Sequence, residues 1–98
     1  MKHFLVEITY TIPVEQLGEL VTEHRAYIKT GFDKGMILMS GPQSPRLGGI
    51  VIARSETKEE IELFFLSDPY ALHKAAEYRF VEFVPLMHQA FLTEWVSQ

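Results

Sequence analysis

Residues 36–53 read Met36-Ile37-Leu38-Met39-Ser40-Gly41-Pro42-Gln43-Ser44-Pro45-Arg46-Leu47-Gly48-Gly49-Ile50-Val51-Ile52-Ala53. Met36 to Ser40 is a short apolar run closed by Gly41-Pro42, and Ile50 to Ala53 is another, opened by Gly48-Gly49. The segment between them, Pro42 to Gly49, is built of turn formers and is too short for a helix. The two runs are therefore expected to pair with each other as an antiparallel hairpin. That reading decides the fold, because it sets two adjacent strands in the middle of the chain.

Working outward, residues 3 to 10 alternate, with Phe4, Val6, Ile8 and Tyr10 on one face and His3, Leu5, Glu7 and Thr9 on the other, as a strand requires. From Pro13 the period changes. Leu17, Leu20, Val21, His24, Tyr27 and Ile28 fall at helical offsets against Glu15, Glu19, Glu23 and Lys29, predicting one helix over about 13 to 32, ended by Gly31 or Gly35. Downstream of the hairpin, Thr57-Lys58-Glu59-Glu60 has the form of a capping box and opens a second helix with Ile61, Phe64 and Phe65 inward. Asp68-Pro69 interrupts it and starts a further helical stretch through Ala76, after which Tyr78 to Val84 alternates as a last strand.

The order β-α-β-β-α-β is that of a ferredoxin-like α+β protomer, a four-stranded antiparallel sheet with both helices on one face. Both faces of the strands are apolar: Ile37 and Met39 oppose Leu38, and Phe80 and Val84 oppose Val81 and Phe83. The face without helices would be a large apolar patch, so a homodimer with its two sheets face to face is expected. The stretch His88 to Gln98, with Phe91, Leu92, Trp95 and Val96, reads as a short helix or arm docking on the body or on the partner.

Composition narrows the function. The 98 residues are 47% hydrophobic and 22% charged, which suits a single domain over 1–98 with 87–98 as an extension. Nine Lys and Arg against 13 Asp and Glu give a net charge of −4, with no basic cluster, which argues against nucleic acid. The absence of cysteine removes disulfides, thiolate metal sites and a cysteine nucleophile. Glu7 cuts the N-terminal apolar run short of a signal-peptide core, and no stretch is apolar enough to span a membrane, so a soluble, cytoplasmic protein is expected.

His24 stands on the apolar stripe of the first helix, four residues after Leu20, and not among the glutamates. It reads either as a core histidine bonded to a backbone carbonyl or as a proton-transfer residue facing a pocket. Asp68, before Pro69, reads as a helix cap, yet one carboxylate oxygen can cap while the other accepts from an imidazole, so a His24–Asp68 dyad is open. Ser40-Gly41-Pro42 is either strand punctuation or a place where a ligand nears the backbone, and no nucleophile elbow surrounds Ser40. The four histidines show no metal-binding spacing, and Gly48-Gly49 is not a phosphate loop, so neither a metal nor a nucleotide cofactor is expected.

A histidine in mid-helix, Ser40-Gly41-Pro42 after the second strand, Asp68-Pro69-Tyr70 and then Glu77-Tyr78 together resemble the YCII-related (YciI-like) family of dimeric α+β barrel proteins, over about residues 1 to 86. The resemblance implies a dimer and a His and Asp active site, which maps here onto His24 and Asp68. Relatives in the wider superfamily include muconolactone-isomerase-like and dehydrochlorinase-like enzymes and cofactor-free monooxygenases. The chain departs from the family in a short hairpin connection, in Ala75 where glycine is common, and in the tail beyond Leu86. The expectation is a small cofactor-independent lyase or isomerase acting on an acidic or carbonyl-bearing cyclic metabolite. His24 and Asp68 would move the proton, and Ser40, Gly41, Pro42 and Tyr70 would bind the small-molecule substrate. A non-catalytic ligand-binding or accessory module of the same fold is the other possibility.

Overall fold

In the computed structural model, which describes residues 1–98, β1 (Lys2–Tyr10) alternates as its sequence does and buries Phe4, Val6 and Ile8. It pairs antiparallel with β3 (Gly48–Ser55), placing Phe4 opposite Ala53 and Val6 opposite Val51. On its other side β4 (Ala76–Phe83) runs antiparallel, with Val6 opposite Phe80 and Ile8 opposite Tyr78. The expected hairpin forms between β2 (Ile37–Pro42) and β3, so the sheet has the order β2-β3-β1-β4. Helices α1 (Leu20–Asp33) and α2 (Lys58–Leu66) close one face. Ile28 from α1 and Ile61, Phe64 and Phe65 from α2 join Phe4, Val6, Ile8 and Val51 in a single core of 14 buried residues. Burial of such side chains stabilises the fold by about 1.5–3 kcal/mol each.

The helices differ from expectation at their ends. The single helix over 13–32 is interrupted: a 3₁₀ turn at Val14–Gln16 precedes Gly18, whose φ of +54° no helix accommodates, and α1 begins only at Leu20. The break turns Leu17 into the core at 2% exposure. The Thr57 hydroxyl caps α2 as expected, accepting from the Glu60 amide at 3.2 Å, while the Glu60 carboxylate reaches back to the Glu56 amide at 3.0 Å. Helix α3 (Pro69–Leu72) stops well short of Ala76, because Lys74 takes a φ of 54° and the Ala75 amide turns back onto the Tyr70 carbonyl at 2.8 Å.

A bulge in β2 corrects the expected faces of that strand. Ile37 pairs with Ala53 and Met39 with Ile52, leaving Leu38 as the extra residue. Ile37 therefore lies in the core while Met39 emerges on the opposite face, 55% exposed, although strict alternation had set them together. The strand also continues through Gly41 and Pro42. The helix-free face carries Leu5, Ile52, Val81, Phe83 and Met39, none of them fully buried.

The C-terminal arm docks on the body. A 3₁₀ turn at Ala90–Leu92 leads into α4 (Thr93–Val96), and the Trp95 indole donates to the Gly35 carbonyl at 3.2 Å. Arg54 clamps both ends of that contact, donating to the Trp95 carbonyl at 2.6 Å and to the Gly35 carbonyl at 2.8 Å, with its guanidinium over the indole at 4.9 Å. His3 meets the same indole edge-on at 5.4 Å. Phe91 of the same arm does not join that contact and is 84% exposed in the single chain. No helix is long and apolar enough to cross a membrane.

Candidate functional site

Asp68 ends the connection between α2 and α3, where an extended backbone and the proline at the first helical position make it an N-cap. Its side chain is wholly buried and surrounded by donors. Oδ1 accepts from the Tyr70 amide at 3.2 Å and lies 2.7 Å from His24 Nδ1. Oδ2 accepts from the Tyr78 hydroxyl at 2.7 Å and lies 2.9 Å from the same imidazole nitrogen. An ionised carboxylate has only acceptors to offer, so His24 Nδ1 carries the proton in this contact.

With Nδ1 held, Nε2 is the ring nitrogen left over, and no group of the chain bonds to it. The imidazole stacks on the Tyr70 ring at 4.0 Å with 11° between planes, which fixes the ring orientation from a second side. It borders a cavity of about 320 Å³ between α1 and the β2–β3 half of the sheet. Val21, Ile28 and Phe32 of α1 and Ile8 and Val51 of the sheet form apolar walls, and Ser40, Gly41, Pro42 and Tyr70 also line it. The structure thus brings His24, Ser40, Gly41, Pro42 and Tyr70 around one cavity, with Asp68 behind the imidazole and outside the lining.

Three further residues join them to which the sequence had assigned no part in the site. Tyr78 entered only as an alternating strand residue and as half of the Glu77-Tyr78 match, and the fold, which pairs Ile8 with Tyr78, brings its hydroxyl to Asp68. Tyr10 meets Tyr70 edge-on at 5.6 Å, and Arg46, from the connection read as a plain turn, lines the same cavity as both tyrosines. Burial, reinforced by the Asp68 carboxylate, pushes the Tyr78 hydroxyl far above the usual phenol range. Burial, followed by the neighbouring Tyr10, pushes Tyr70 up to about 12. Both hydroxyls are therefore donors at neutral pH. No group of three or more His, Cys, Asp or Glu side chains is placed to hold a metal ion.

No protein-family model matches the chain, and no curated protein matches it in sequence. Among solved structures the chain is similar to the 5-chloro-2-hydroxyhydroquinone dehydrochlorinase from Burkholderia phenoliruptrix AC1100, a structure in complex with 2,5-dihydroxybenzoquinone. The match has a TM-score of 0.59 and 18% sequence identity and covers 91% of this chain and 97% of that one. At that identity the likeness is one of fold, and it defines the chain as an α+β protein with the architecture of the dimeric α+β barrels.

Proposed function

We propose that the cavity is the active site of a small cofactor-independent lyase or isomerase, and that the chain is a YCII-related protein working as a homodimer. His24 is the catalytic acid and base, and Asp68 is its positioning residue. The observation that carries this reading is the 2.7 Å contact between His24 Nδ1 and a carboxylate with no solvent exposure, which leaves Nε2 for the cavity. Histidine is suited to the task because its charge changes near neutral pH, and a carboxylate partner stabilises the imidazolium formed when Nε2 takes a proton.

On a cyclic substrate the step balances simply. Nε2 removes a proton from a carbon next to a carbonyl, and the electron pair of that C–H bond moves into the carbonyl to give an enolate. In an isomerisation the imidazolium returns the proton to another carbon. In an elimination the enolate expels an anion from the adjacent carbon as a C=C bond forms, and the proton passes to solvent. Ser40 and Gly41 lie on the edge strand β2 and line the cavity, which supports giving the Ser40 hydroxyl and the strand edge the task of holding the oxygen of the substrate. The neighbouring fold's dehydrochlorinase activity belongs to the elimination class, which supports including it here.

Screening lactones, muconates and chlorinated hydroxyquinols tests the reading. Turnover of one of them, lost in His24→Ala, is the expected result. Thermal stabilisation by these compounds without any turnover would favour a ligand-binding module instead.

A further inference from the structure

The cavity differs in charge from the chain around it. Acids outnumber bases by 13 to nine in the chain, yet Arg25, Lys29 and Arg46 line the cavity and no aspartate or glutamate does. Lys29 is paired with Asp33 at 3.0 Å, whereas Arg25 and Arg46 belong to none of the chain's ion pairs. Arg46 lines the cavity together with Tyr10 and Tyr70, two neutral groups. Two neutral phenols, which both donate and accept, leave the guanidinium charge unbalanced, and a carboxylate is the group whose planar pair of oxygens fits the guanidinium fork and can accept from the hydroxyls as well.

We propose that Arg46, with the hydroxyls of Tyr10 and Tyr70, holds a carboxylate borne on the substrate's ring, one tyrosine ring away from His24. Tyr70 sets that spacing, because its ring stacks on the imidazole on one side and meets Tyr10 on the other, in the cavity lining that also holds Arg46. The apolar walls at Val21, Ile28 and Phe32 suit the ring that joins the carboxylate to the reacting carbon. Tyr70, pushed up to about 12, keeps its proton for donation. The proposal rests on the cavity being a substrate site and adds the class of substrate, a cyclic carboxylate.

The test uses 2,5-dihydroxybenzoate and its neutral counterpart 2,5-dihydroxybenzamide, with affinities measured by calorimetry. The wild-type protein is expected to bind the acid about tenfold or more tightly than the amide, as a charge-assisted contact implies. Arg46→Gln, an exposed loop change that leaves the fold alone, is expected to bring the two affinities together, and Arg46→Lys to retain part of the difference. His24→Gln is expected to keep the preference for the acid. Equal affinities in the wild type, a preference that survives Arg46→Gln, or no binding of the acid at millimolar concentration would each overturn the proposal. If the preference obeys Arg46 but no carboxylate is ever turned over, the subsite stands and the acid–base role of His24 fails.

Discussion

His24 and Asp68 are 44 residues apart in sequence, yet the imidazole Nδ1 lies 2.7 and 2.9 Å from the two oxygens of a carboxylate that has no contact with solvent. The carboxylate is the fixed member. The Tyr70 amide and the Tyr78 hydroxyl hold it from α3 and β4, so the imidazole is oriented by a group that cannot itself move.

The tautomer follows from that arrangement. An acceptor at Nδ1 places the proton there, so ¹⁵N-detected spectra of neutral His24 should show a protonated Nδ1 and a bare Nε2. In Asp68→Ala the two tautomers should approach the mixture found in a free imidazole. A protonated Nε2 in the wild-type protein would mean that Asp68 does not orient the ring.

Asp68 also holds structure. Removing one partner of a buried, charged hydrogen-bond cluster costs about 3–5 kcal/mol, and here the Tyr70 amide and the Tyr78 hydroxyl would lose their acceptor. Asp68→Ala should lower the urea midpoint by a corresponding amount. Asp68→Asn, which keeps one acceptor oxygen, should lower it less. Equal midpoints for wild type and Asp68→Ala would show that the cluster does not stabilise the fold.

Stability should fall on both sides of neutrality, for different residues. Burial, then the charges of the N-terminus and Arg54, depresses His3 below 6.5, and its Nε2 has no partner. The unfolded chain therefore takes up a proton there before the folded chain does, and stability drops as pH falls below about 6.5. At the alkaline end the raised Tyr78 keeps its proton when folded but loses it above about 10 when unfolded, so stability drops again. Melting temperatures should show the acid slope shrink in His3→Leu and the alkaline slope shrink in Tyr78→Phe. Unchanged slopes in both variants would assign the pH dependence to other groups.

Much of this architecture was legible beforehand. Period two at residues 3–10, the Pro42–Gly49 turn and the Thr57 cap are local signals, and the β-α-β-β-α-β order of elements and the β2–β3 hairpin follow from them. What escaped was non-local. Leu38 bulges out only because β2 must pair with β3 in one register, and nothing in Ile37-Leu38-Met39 announces it. Gly18 breaks the first helix because Leu17 has a place in the core, a matter of packing and not of propensity. Around the cavity, His24 stood out because a histidine is unusual on the apolar stripe of a helix, whereas Asp68 and Ser40-Gly41 suit their positions as a cap and a strand end and were joined to it by the family resemblance. Tyr10 looks like an ordinary strand residue and Tyr78 carried no task beyond the Glu77-Tyr78 match, and their roles depend on what the fold sets opposite them.

The helix-free face leads to a quaternary prediction. Leu5 and Val81 face each other there, beside Ile52, and the arm covers only the corner around His3 and Arg54. Two such faces related by a twofold axis would bury about 2,000 Å² or more, as obligate dimers do. Sedimentation equilibrium at micromolar concentration should give twice the chain mass, and Val81→Glu should unfold or aggregate. A well-folded monomer at tens of micromolar would refute the dimer.

The most direct test of the acid–base account is the turnover number of His24→Ala on whichever cyclic substrate the wild-type protein converts, with the fold checked by circular dichroism. A positioned general base contributes about 10² to 10⁴-fold in rate, so a loss on that scale, with KM little changed, is the predicted result. Turnover by His24→Ala at the wild-type rate would contradict the account.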